Sequence, residues 1–401
     1  MNGNKTEHGE KSGRLLKKVV ISLYLLCALF AATHAFILEK KNNPDGVPEK
    51  MKYGNYVQFK LSWFHLVSGK DLYVINPAEH YDYFKYSPTF ALIFGLIAWM
   101  PDLPGLLIWT LLNTLLLLFA VRSLPGIDDR NKSFLLLFLL VEMMTSIQNM
   151  QSNALMAGLL IFAFVFLEDR KPILAALFIV LTIYIKLFGI VAFLLFLLYP
   201  QKGKLVLWTI AWFLILFLLP LPLTGVEYLK SLYLSWFRLL SMDHSASLGF
   251  SVMGWLSTWF GLPVAKDLIL GLGALACCLP MLMTKKYRNL DFRLLMLASI
   301  LVWMVIFNHK AESPTFIIAM SGAGIWFFSG KMTPINITLV VIAFLFTSLT
   351  STDLCPASIH DNIVEPYAVK AVPCILIWFK IIWDLCRIPA NIGPVSQESS
   401  S

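Results

Sequence analysis

Repeated apolar segments, most of them about 15 to 20 residues long and separated by short charged breaks, constrain the fold of this chain most strongly. A helix needs about 20 apolar residues to cross a bilayer, and backbone amides in hydrocarbon have to be satisfied within helices or closed barrels. The pattern predicts an all-α polytopic membrane protein. Because 58% of the 401 residues are hydrophobic and only 14% are charged, residues 1–401 are expected to form a single integral-membrane domain.

The apolar segments predict about 12 transmembrane helices with both termini in the cytoplasm. Several breaks between them are basic, as at 169–171, 201–204 and 284–293, and positive charge is concentrated in short cytoplasmic loops. All these breaks fall on one side only if the short apolar run 88–100 lies on the outer surface without crossing. The predicted spans are 19–38, 104–122, 134–148, 153–168, 172–185, 187–199, 205–222, 266–283, 291–307, 314–329, 333–350 and 371–388.

This orientation predicts a multi-pass membrane protein with its chemistry on the outer, extracytoplasmic side. Residues 1–18 and 389–401 are expected to be cytoplasmic tails, and 39–103 and 223–265 to be outer loops. Within these loops, 55–67 and 226–241 have apolar residues at helical spacing, which predicts amphipathic helices in the headgroup plane. Their apolar faces are Tyr56, Phe59, Trp63 and Leu66, and Leu229, Leu232, Tyr233, Trp236 and Leu240.

Composition and motifs exclude several other classes of protein. The net charge of +8 is scattered between apolar segments, whereas a nucleic-acid-binding surface concentrates positive charge on one face. The sequence has no Walker loop, zinc-ligand spacing or nucleotide-binding glycine pattern, so no soluble nucleotide donor is expected. The six cysteines lie mostly inside apolar segments, so a disulfide framework is not predicted.

Lys186 interrupts an apolar stretch of about 28 residues, within LTIYIKLFGIV. A lysine at membrane depth costs a few kcal/mol unless it snorkels, pairs or takes part in function. Each flanking run is short for a crossing, so we predict a hairpin with Lys186 at its outer apex. The residue is either a snorkelling lysine at a helix end or a fixed cation that binds a phosphate.

Two further polar stretches interrupt the apolar pattern on the predicted outer side. QNMQSN contains Gln151 and Asn153, amides that either cap a helix or bind sugar hydroxyls. FNHKAESP contains His309 and Lys310, with Glu312 placed to orient them. These residues are either ordinary interfacial polar groups or a second phosphate-binding group.

The first outer loop contains titratable side chains in GKDLY and AEHYDYFKYSP. A carboxylate near the bilayer surface, at Asp71 or Asp82, could act as a general base towards a hydroxyl. His80 and Lys85 are further candidates for substrate or phosphate binding. Loop carboxylates of this kind are also common as solvated surface groups.

Five stretches, taken in order, resemble integral-membrane glycosyltransferases of the GT-C fold, and most closely glycosyltransferase family 87. They are GNYVQF, GKDLY (69–73), YSPTFAL (86–92), QSNAL (151–155) and DRKPILAALFIVLTIYIKLFG (169–189). The corresponding family pattern runs from an acidic D-F-x-x-Y and G-x-D-x-Y through Y-P-P-L-F-A-L and G-Q-x-N to a basic turn followed by K-L-T-P. The second half of the chain is similar mainly in layout.

The resemblance implies an inverting mannosyltransferase that uses a polyprenyl-phosphate sugar and a glycan or glycolipid acceptor. It also implies a multi-pass protein surrounded by the lipids of the plasma (inner) membrane, with its active site on the periplasmic or extracellular side. No cofactor is implied with certainty, and a divalent metal remains open. The family's catalytic aspartate would fall on Asn55, whose amide cannot accept a proton. Either another carboxylate, Asp82 first and Asp71 next, replaces it as base, or the protein is inactive or differs in mechanism. Lys186, with His309 or Lys310, would stabilise the departing phosphate.

Two alternatives use the same membrane architecture. A transporter or flippase of lipid-linked glycans would tend to show inverted repeats and polar groups at the membrane midplane. A glycan polymerase or ligase with a diphosphate-linked donor would favour an arginine-rich outer site. Here the polar groups gather at one predicted surface, and the outer loops contain lysine more than arginine.

Overall fold

The computed structural model describes residues 3–43, 51–79, 82–242, 247–263 and 265–389. These ranges contain helices and no β-strand, as the apolar pattern predicts. The first nine α-helices are α1 (Gly3–Asn42), α2 (Gly54–Val67), α3 (Pro88–Ala98), α4 (Asp102–Ser123), α5 (Asp129–Gln148), α6 (Asn153–Glu168), α7 (Pro172–Ile185), α8 (Lys202–Leu218) and α9 (Leu221–Met242). The remaining seven are α10 (Val252–Phe260), α11 (Lys266–Cys278), α12 (Leu290–Ile306), α13 (Phe316–Ser329), α14 (Pro334–Ala343), α15 (Ala357–Ile359) and α16 (Val372–Arg387).

Shorter helical turns of other types connect several of these helices. The longest is a 3-10 helix at Leu187–Leu198, which follows α7 directly. Other 3-10 turns are Leu279–Leu282, Thr284–Arg288, Ser313–Thr315, Leu349–Ser351 and Val369–Ala371, and π-helical turns are Phe344–Ser348 and His360–Val364.

The number of membrane crossings differs from the expectation of about twelve. Three helical segments in the described residues are long and apolar enough to span: 13–41, 102–123 and 334–351. The pair α8 and α9 adds a fourth if its 92° bend belongs to one broken span. The other apolar helices have 10 to 17 residues. The class of helical membrane protein is confirmed, and the count of twelve is not.

Fewer spans are found than expected because many of the apolar helices are short. The two helices that meet at Lys186 are an example. The 14 residues of α7 rise only about 21 Å, which is less than the roughly 30 Å of a bilayer core. The 12 residues that follow adopt the 3-10 geometry, whose larger rise extends them to about 24 Å. Two helices that the sequence predicts as spans are therefore each too short to cross by length alone.

Antiparallel packing gives the bundle two distinct ends, which we call the Lys186 end and the Glu168 end. Lys186 contacts Asn153, the first residue of α6, whereas Tyr199 bonds to Glu168, the last residue of α6. Arg293, at the start of α12, also bonds to Glu168, at 2.6 and 2.7 Å. The basic breaks at 169–171, 201–204 and 284–293 therefore lie together at the Glu168 end.

Helices α2 and α3 pack on each other at the Lys186 end. Ser87 caps the first turn of α3 and donates to the carbonyl of Tyr184 at 2.7 Å. Beyond the end of α3, Asp102 at the start of α4 pairs with Lys60 of α2 at 2.7 Å. Both ends of the 11-residue α3 are thus held at the same end of the bundle, so 88–98 does not run between the two ends.

The two predicted amphipathic helices are present, with one correction. In α9 a bend at Gly225 (φ 67°) precedes the amphipathic part, and Leu229, Leu232, Tyr233 and Trp236 are buried as the spacing predicts. In α2, Tyr56, Phe59 and Leu66 are buried, but so are Gln58 and Ser62, which were expected off the apolar face. The reason is that α2 also packs against the loop before α3, where Gln58 donates to the carbonyl of Asp82 at 3.0 Å.

The predicted loops and tails differ in part from the structure. Residues 3–18, expected as a tail, are helical and continuous with the rest of α1. The predicted outer loop 39–103 contains the end of α1, all of α2 and α3 and the start of α4. Residues 390–401 of the expected C-terminal tail lie outside the described residues.

A buried ion pair joins distant segments near the Lys186 end. Lys370 and Glu142 are 1% and 0% exposed, and their Nζ and Oε1 atoms are 2.9 Å apart. Lys370 also donates to the hydroxyls of Ser313 at 2.9 Å and Ser351 at 2.5 Å. These bonds join α5 to three later loops of the chain.

Candidate functional site

Lys186 lies at the junction between α7 and the 3-10 helix, in one extended residue (φ −141°, ψ 122°). Its Nζ donates to Gln151 Oε1 at 3.2 Å and to Asn153 Oδ1 at 2.7 Å. In the described part of the chain it forms no salt bridge. An ammonium has three N–H donors, and two amide oxygens accept two of them. One N–H and the whole positive charge are therefore available to a ligand.

Other helices fix the turn that supplies these amides. Met150, in the turn, adopts a left-handed conformation (φ 51°), and its carbonyl accepts a bond from Trp109 Nε1 of α4 at 3.0 Å. The carbonyl of Asn149 accepts a bond from Asn55 Nδ2 of α2 at 2.9 Å. The site is thus held by rigid helices on two sides of the turn.

Asn153 has an unused donor next to the lysine. The residue is 1% exposed, and its Nδ2 has no hydrogen-bond partner among the described residues. Because Nδ2 belongs to the same amide group whose Oδ1 contacts Lys186, the two donors lie close together. A buried donor without a partner is unfavourable, by about 1 to 3 kcal/mol, and an anion or hydroxyl that accepted its bond would remove that cost.

An aromatic side chain lies beside the cation. The Nζ of Lys186 is 6.0 Å from the centre of the Tyr86 ring, a distance at the outer limit of cation–π contact. Tyr86 is buried, and its hydroxyl accepts a long bond of 3.5 Å from Ser152. Tyr86 and Ser152 lie within the stretches YSPTFAL and QSNAL; the sequence pointed to the polar side chains of QNMQSN, Ser152 included, but not to Tyr86.

Charged groups surround this centre. Lys186 lies in the link between two helices, outside the candidate spans, and burial lowers its pKa to about 8. The negative charge of Glu312 opposes that decrease in the pKa of Lys186, and the positive charge of Lys85 adds to it. The negative charges of Glu312 and Asp82 also act electrostatically on the Tyr86 hydroxyl. Lys186 remains mostly cationic at pH 7, with two exposed carboxylates nearby.

The structure therefore brings together much of the predicted site, through different kinds of contact. Gln151, Asn153 and Lys186 are joined by direct hydrogen bonds. Asn55 is joined to the same turn through Asn149. Asp82 and Lys85 are near enough for their charges to act on Tyr86 and Lys186, respectively.

The other predicted site residues lie elsewhere or are not described. Asp71 accepts bonds from its own loop, at Tyr73 N, and from Ser235 of α9, both at 3.0 Å, so it belongs to the contact with α9. His309 and Lys310 lie in the loop that also contains Glu312, at the Lys186 end, but neither is among the bonding partners of Lys186. His80 lies outside the described residues.

One group of side chains in the described chain has a spacing suited to a metal ion. Ligand atoms of His360, Asp361 and Glu365 lie within 4.8 Å of one another. The group belongs to the loop that precedes Lys370 and none of its members is fully buried. Exposed acidic groups of this kind are common without a metal, and none of the three contacts Lys186.

These features define the class of the protein: it is a helical membrane protein that gathers a lysine and amides at one end of its bundle. Comparison with known families adds the particular group. The family model of glycosyltransferase family 87 matches residues 84–307, more than half of the chain. The chain belongs to glycosyltransferase family 87 and is a membrane glycosyltransferase. No curated protein matches it.

The matched region divides the candidate residues. It includes Lys85, Gln151, Asn153 and Lys186. It begins after Asn55, Asp71 and Asp82 and ends before His309 and Lys310. The resemblance seen in the sequence is thereby confirmed at the level of the family, and its extent shifts towards the C-terminus.

Proposed function

We propose that this protein transfers a hexose, by family resemblance mannose, from a polyprenyl-phosphate carrier to a hydroxyl of a glycan or glycolipid. The observation that carries the proposal is the environment of Lys186, a cation held by two amide oxygens and by no salt bridge in the described residues. Such a cation suits the phosphate of a lipid-linked donor. A glycosyltransferase has to stabilise the leaving group of its donor, and here that group would be an anionic phosphate.

In the proposed step, the acceptor oxygen forms a bond to the anomeric carbon while the bond from that carbon to the phosphate oxygen breaks. The electron pair of the broken bond passes to the phosphate. Lys186 Nζ and Asn153 Nδ2 donate to the phosphate oxygens as this charge develops. Preorganised donors of this kind are usually the largest contribution to catalysis, and removal of one costs about 10²- to 10³-fold in rate.

The acceptor proton needs a carboxylate as base, because Asn55 cannot accept it. Asp82 is our first choice, since it is exposed and its charge reaches the Tyr86 hydroxyl beside Lys186. Glu312 shares this property and its charge also reaches Lys186. Asp71 is less suitable because its charge is not among those that act on Tyr86 or Lys186.

The architecture we propose for this function keeps the sidedness of the sequence interpretation. The Lys186 end would face the outside of the plasma membrane, in a GT-C-like arrangement of transmembrane helices. The basic breaks gathered at the Glu168 end support this orientation, because short cytoplasmic loops are enriched in lysine and arginine.

The proposal is tested by sugar transfer in proteoliposomes from a polyprenyl-phosphate hexose to a lipid or glycan acceptor. Lys186→Gln should lower transfer by about 10²- to 10³-fold because it removes the charge that stabilises the phosphate. Lys230→Gln, an exposed lysine of α9 at the same end, is the matched control and should leave transfer unchanged. Full transfer in Lys186→Gln would refute the phosphate role.

The base is tested in the same assay. Asp82→Asn should lower transfer more than Glu312→Gln if Asp82 is the base, and the reverse result would assign the role to Glu312. If Asn55 occupies the place of the family's aspartate, Asn55→Asp should restore part of the transfer lost in Asp82→Asn. No restoration would place the base away from the start of α2.

A further inference from the structure

A polar cavity lies at the Glu168 end, at the opposite end of the bundle from Lys186. Its volume is about 850 Å³, and it opens between the ends of α6, the 3-10 helix and α8 and the turn 284–288. Five cationic side chains and one carboxylate line it. The cations are Arg170, Lys171, Lys202, Arg288 and Arg293, and the carboxylate is Glu168.

The charges of this cavity are only partly compensated within the protein. Arg293 makes two bonds to Glu168, and Lys171 pairs with Asp169 at 2.8 Å. The side chains of Arg170, Lys202 and Arg288 have no hydrogen-bond or salt-bridge partner in the described ranges. The cavity therefore holds an excess of positive charge, which favours an anionic ligand.

The backbone at Arg170 is strained where it brings a cation to this cavity. Arg170 follows α6 in the left-handed conformation (φ 56°), at a position where helices usually end in glycine. A non-glycine residue in that conformation costs of order 1 to 3 kcal/mol and persists only where the surrounding structure holds it. Here the strained residue contributes one of the cavity's unpaired cations.

An apolar groove adjoins the cavity. It has a volume of about 440 Å³ and lies between the 3-10 helix and α11, with Trp303 of α12 as a further wall. Leu197 lines both the groove and the basic cavity. A ligand that filled both spaces would have an anionic head and an apolar chain.

We infer that the basic cavity and the groove together bind an anionic glycerophospholipid, with its phosphate among Arg170, Lys202 and Arg288 and an acyl chain along the 3-10 helix. Basic pockets between membrane helices bind anionic lipid headgroups in this way. The site is distinct from the donor site, because it lies at the other end of the bundle. The groove lining extends along the 3-10 helix as far as Ile190, four residues after Lys186, so the lipid would also brace that helix.

The test measures lipid binding by the purified full-length protein with native mass spectrometry and thermal unfolding. Phosphatidylglycerol, phosphatidylcholine and inorganic phosphate are the three probes. We expect phosphatidylglycerol to bind and to raise the unfolding temperature, and the other two to have little effect. Equal stabilisation by inorganic phosphate would overturn the lipid assignment in favour of a soluble anion, and equal binding of phosphatidylcholine would overturn the role of charge.

Two triple variants locate the site. Arg170→Gln/Lys202→Gln/Arg288→Gln should weaken phosphatidylglycerol binding about 100-fold, since each cation near an anionic headgroup contributes roughly fivefold. The control triple removes the same charge from exposed lysines outside the cavity lining and should change binding by less than about threefold, because such charges are screened. It is Lys204→Gln/Lys285→Gln/Lys331→Gln. Equal loss in both triples would reduce the effect to general surface charge.

A fourth variant tests the groove. Ala274→Phe places a larger side chain in the groove and should weaken phosphatidylglycerol binding while leaving the basic cavity intact. Unchanged binding would show that no acyl chain lies there. Unfolding of each variant without lipid serves as the check that it folds. Because binding and not transfer is measured, these results stand independently of the proposed sugar donor.

Discussion

Lys186 and Lys370 lie near the same end of the helix bundle, but the structure satisfies their ammonium groups in different ways. Lys370 is 1% exposed and bonds to a carboxylate and two hydroxyls, at Glu142, Ser313 and Ser351. Lys186 is partly exposed and bonds only to two amide oxygens. All three donors of Lys370 are used and its charge is neutralised, whereas Lys186 keeps one donor and its charge.

The difference separates a structural lysine from one that is suited to bind a ligand. A buried ion pair is strongly destabilised when one partner is removed, because the other charge stays buried without compensation. The pair of Lys370 also holds Ser313, the neighbour of Glu312, and so fixes the loop whose carboxylate acts on Lys186. Neutral amides orient a cation without cancelling its charge, which leaves Lys186 able to attract a phosphate.

The largest effect is expected from breaking the structural pair. Glu142→Gln or Lys370→Met should each lower the free energy of unfolding by about 3 to 5 kcal/mol, because each leaves a buried charge unpaired. The double variant Glu142→Leu/Lys370→Met should lose less than either single variant. Reversible unfolding in detergent measures this, with Lys186→Gln as the comparison, for which we expect a change below about 1 kcal/mol. Near-normal stability of both single variants would contradict the assignment.

A carboxylate introduced beside Lys186 should make it resemble Lys370. Asn153→Asp places that carboxylate where Oδ1 of Asn153 contacts Nζ at 2.7 Å. We expect transfer to fall about 100-fold, since the added charge neutralises the cation and repels the phosphate. Asn153→Ala separates the loss of the amide from the added charge. If Asn153→Asp transfers sugar no worse than Asn153→Ala, the charge of Lys186 is not used.

The pH dependence of transfer should report the charge of Lys186. The pKa of Lys186 in the free enzyme is about 8, so kcat/KM should decrease roughly tenfold per pH unit above that value as the ammonium loses its proton. Lys186→Arg should remove this decrease, because a guanidinium stays charged throughout the range. A profile with the same alkaline decrease in both proteins would assign it to another group.

The smallest effect concerns the turn that carries the amides. Asn55→Ala removes the 2.9 Å bond to the carbonyl of Asn149, and we expect a loss of about 1 kcal/mol in stability. Transfer should change by less than about tenfold, since Trp109 still holds the turn through Met150. A large loss of transfer without a loss of stability would instead give Asn55 a direct role at the reacting atoms.

Local spacing in the sequence was sufficient for much of this protein. The apolar runs predicted a helical membrane protein, and helical periodicity predicted α2 and the later part of α9. The ion pair of Lys380 with Asp384 likewise needs only a spacing of four residues on one helix. The hairpin at Lys186 was predicted from two apolar runs that are adjacent in the chain. The family was predicted from motifs that occur in a fixed order.

Only the tertiary structure decided which distant side chains meet. The sequence does not indicate a partner for Glu142, because Lys370 is 228 positions away. Whether the two side chains meet depends on the rotation and depth of α5 in the bundle. The same holds for Asp71, which packs against α9, and for Gln58, which is buried beneath the loop before α3. Periodicity defines which face of a helix is apolar, but the partner of a polar group is set by how helices pack against one another.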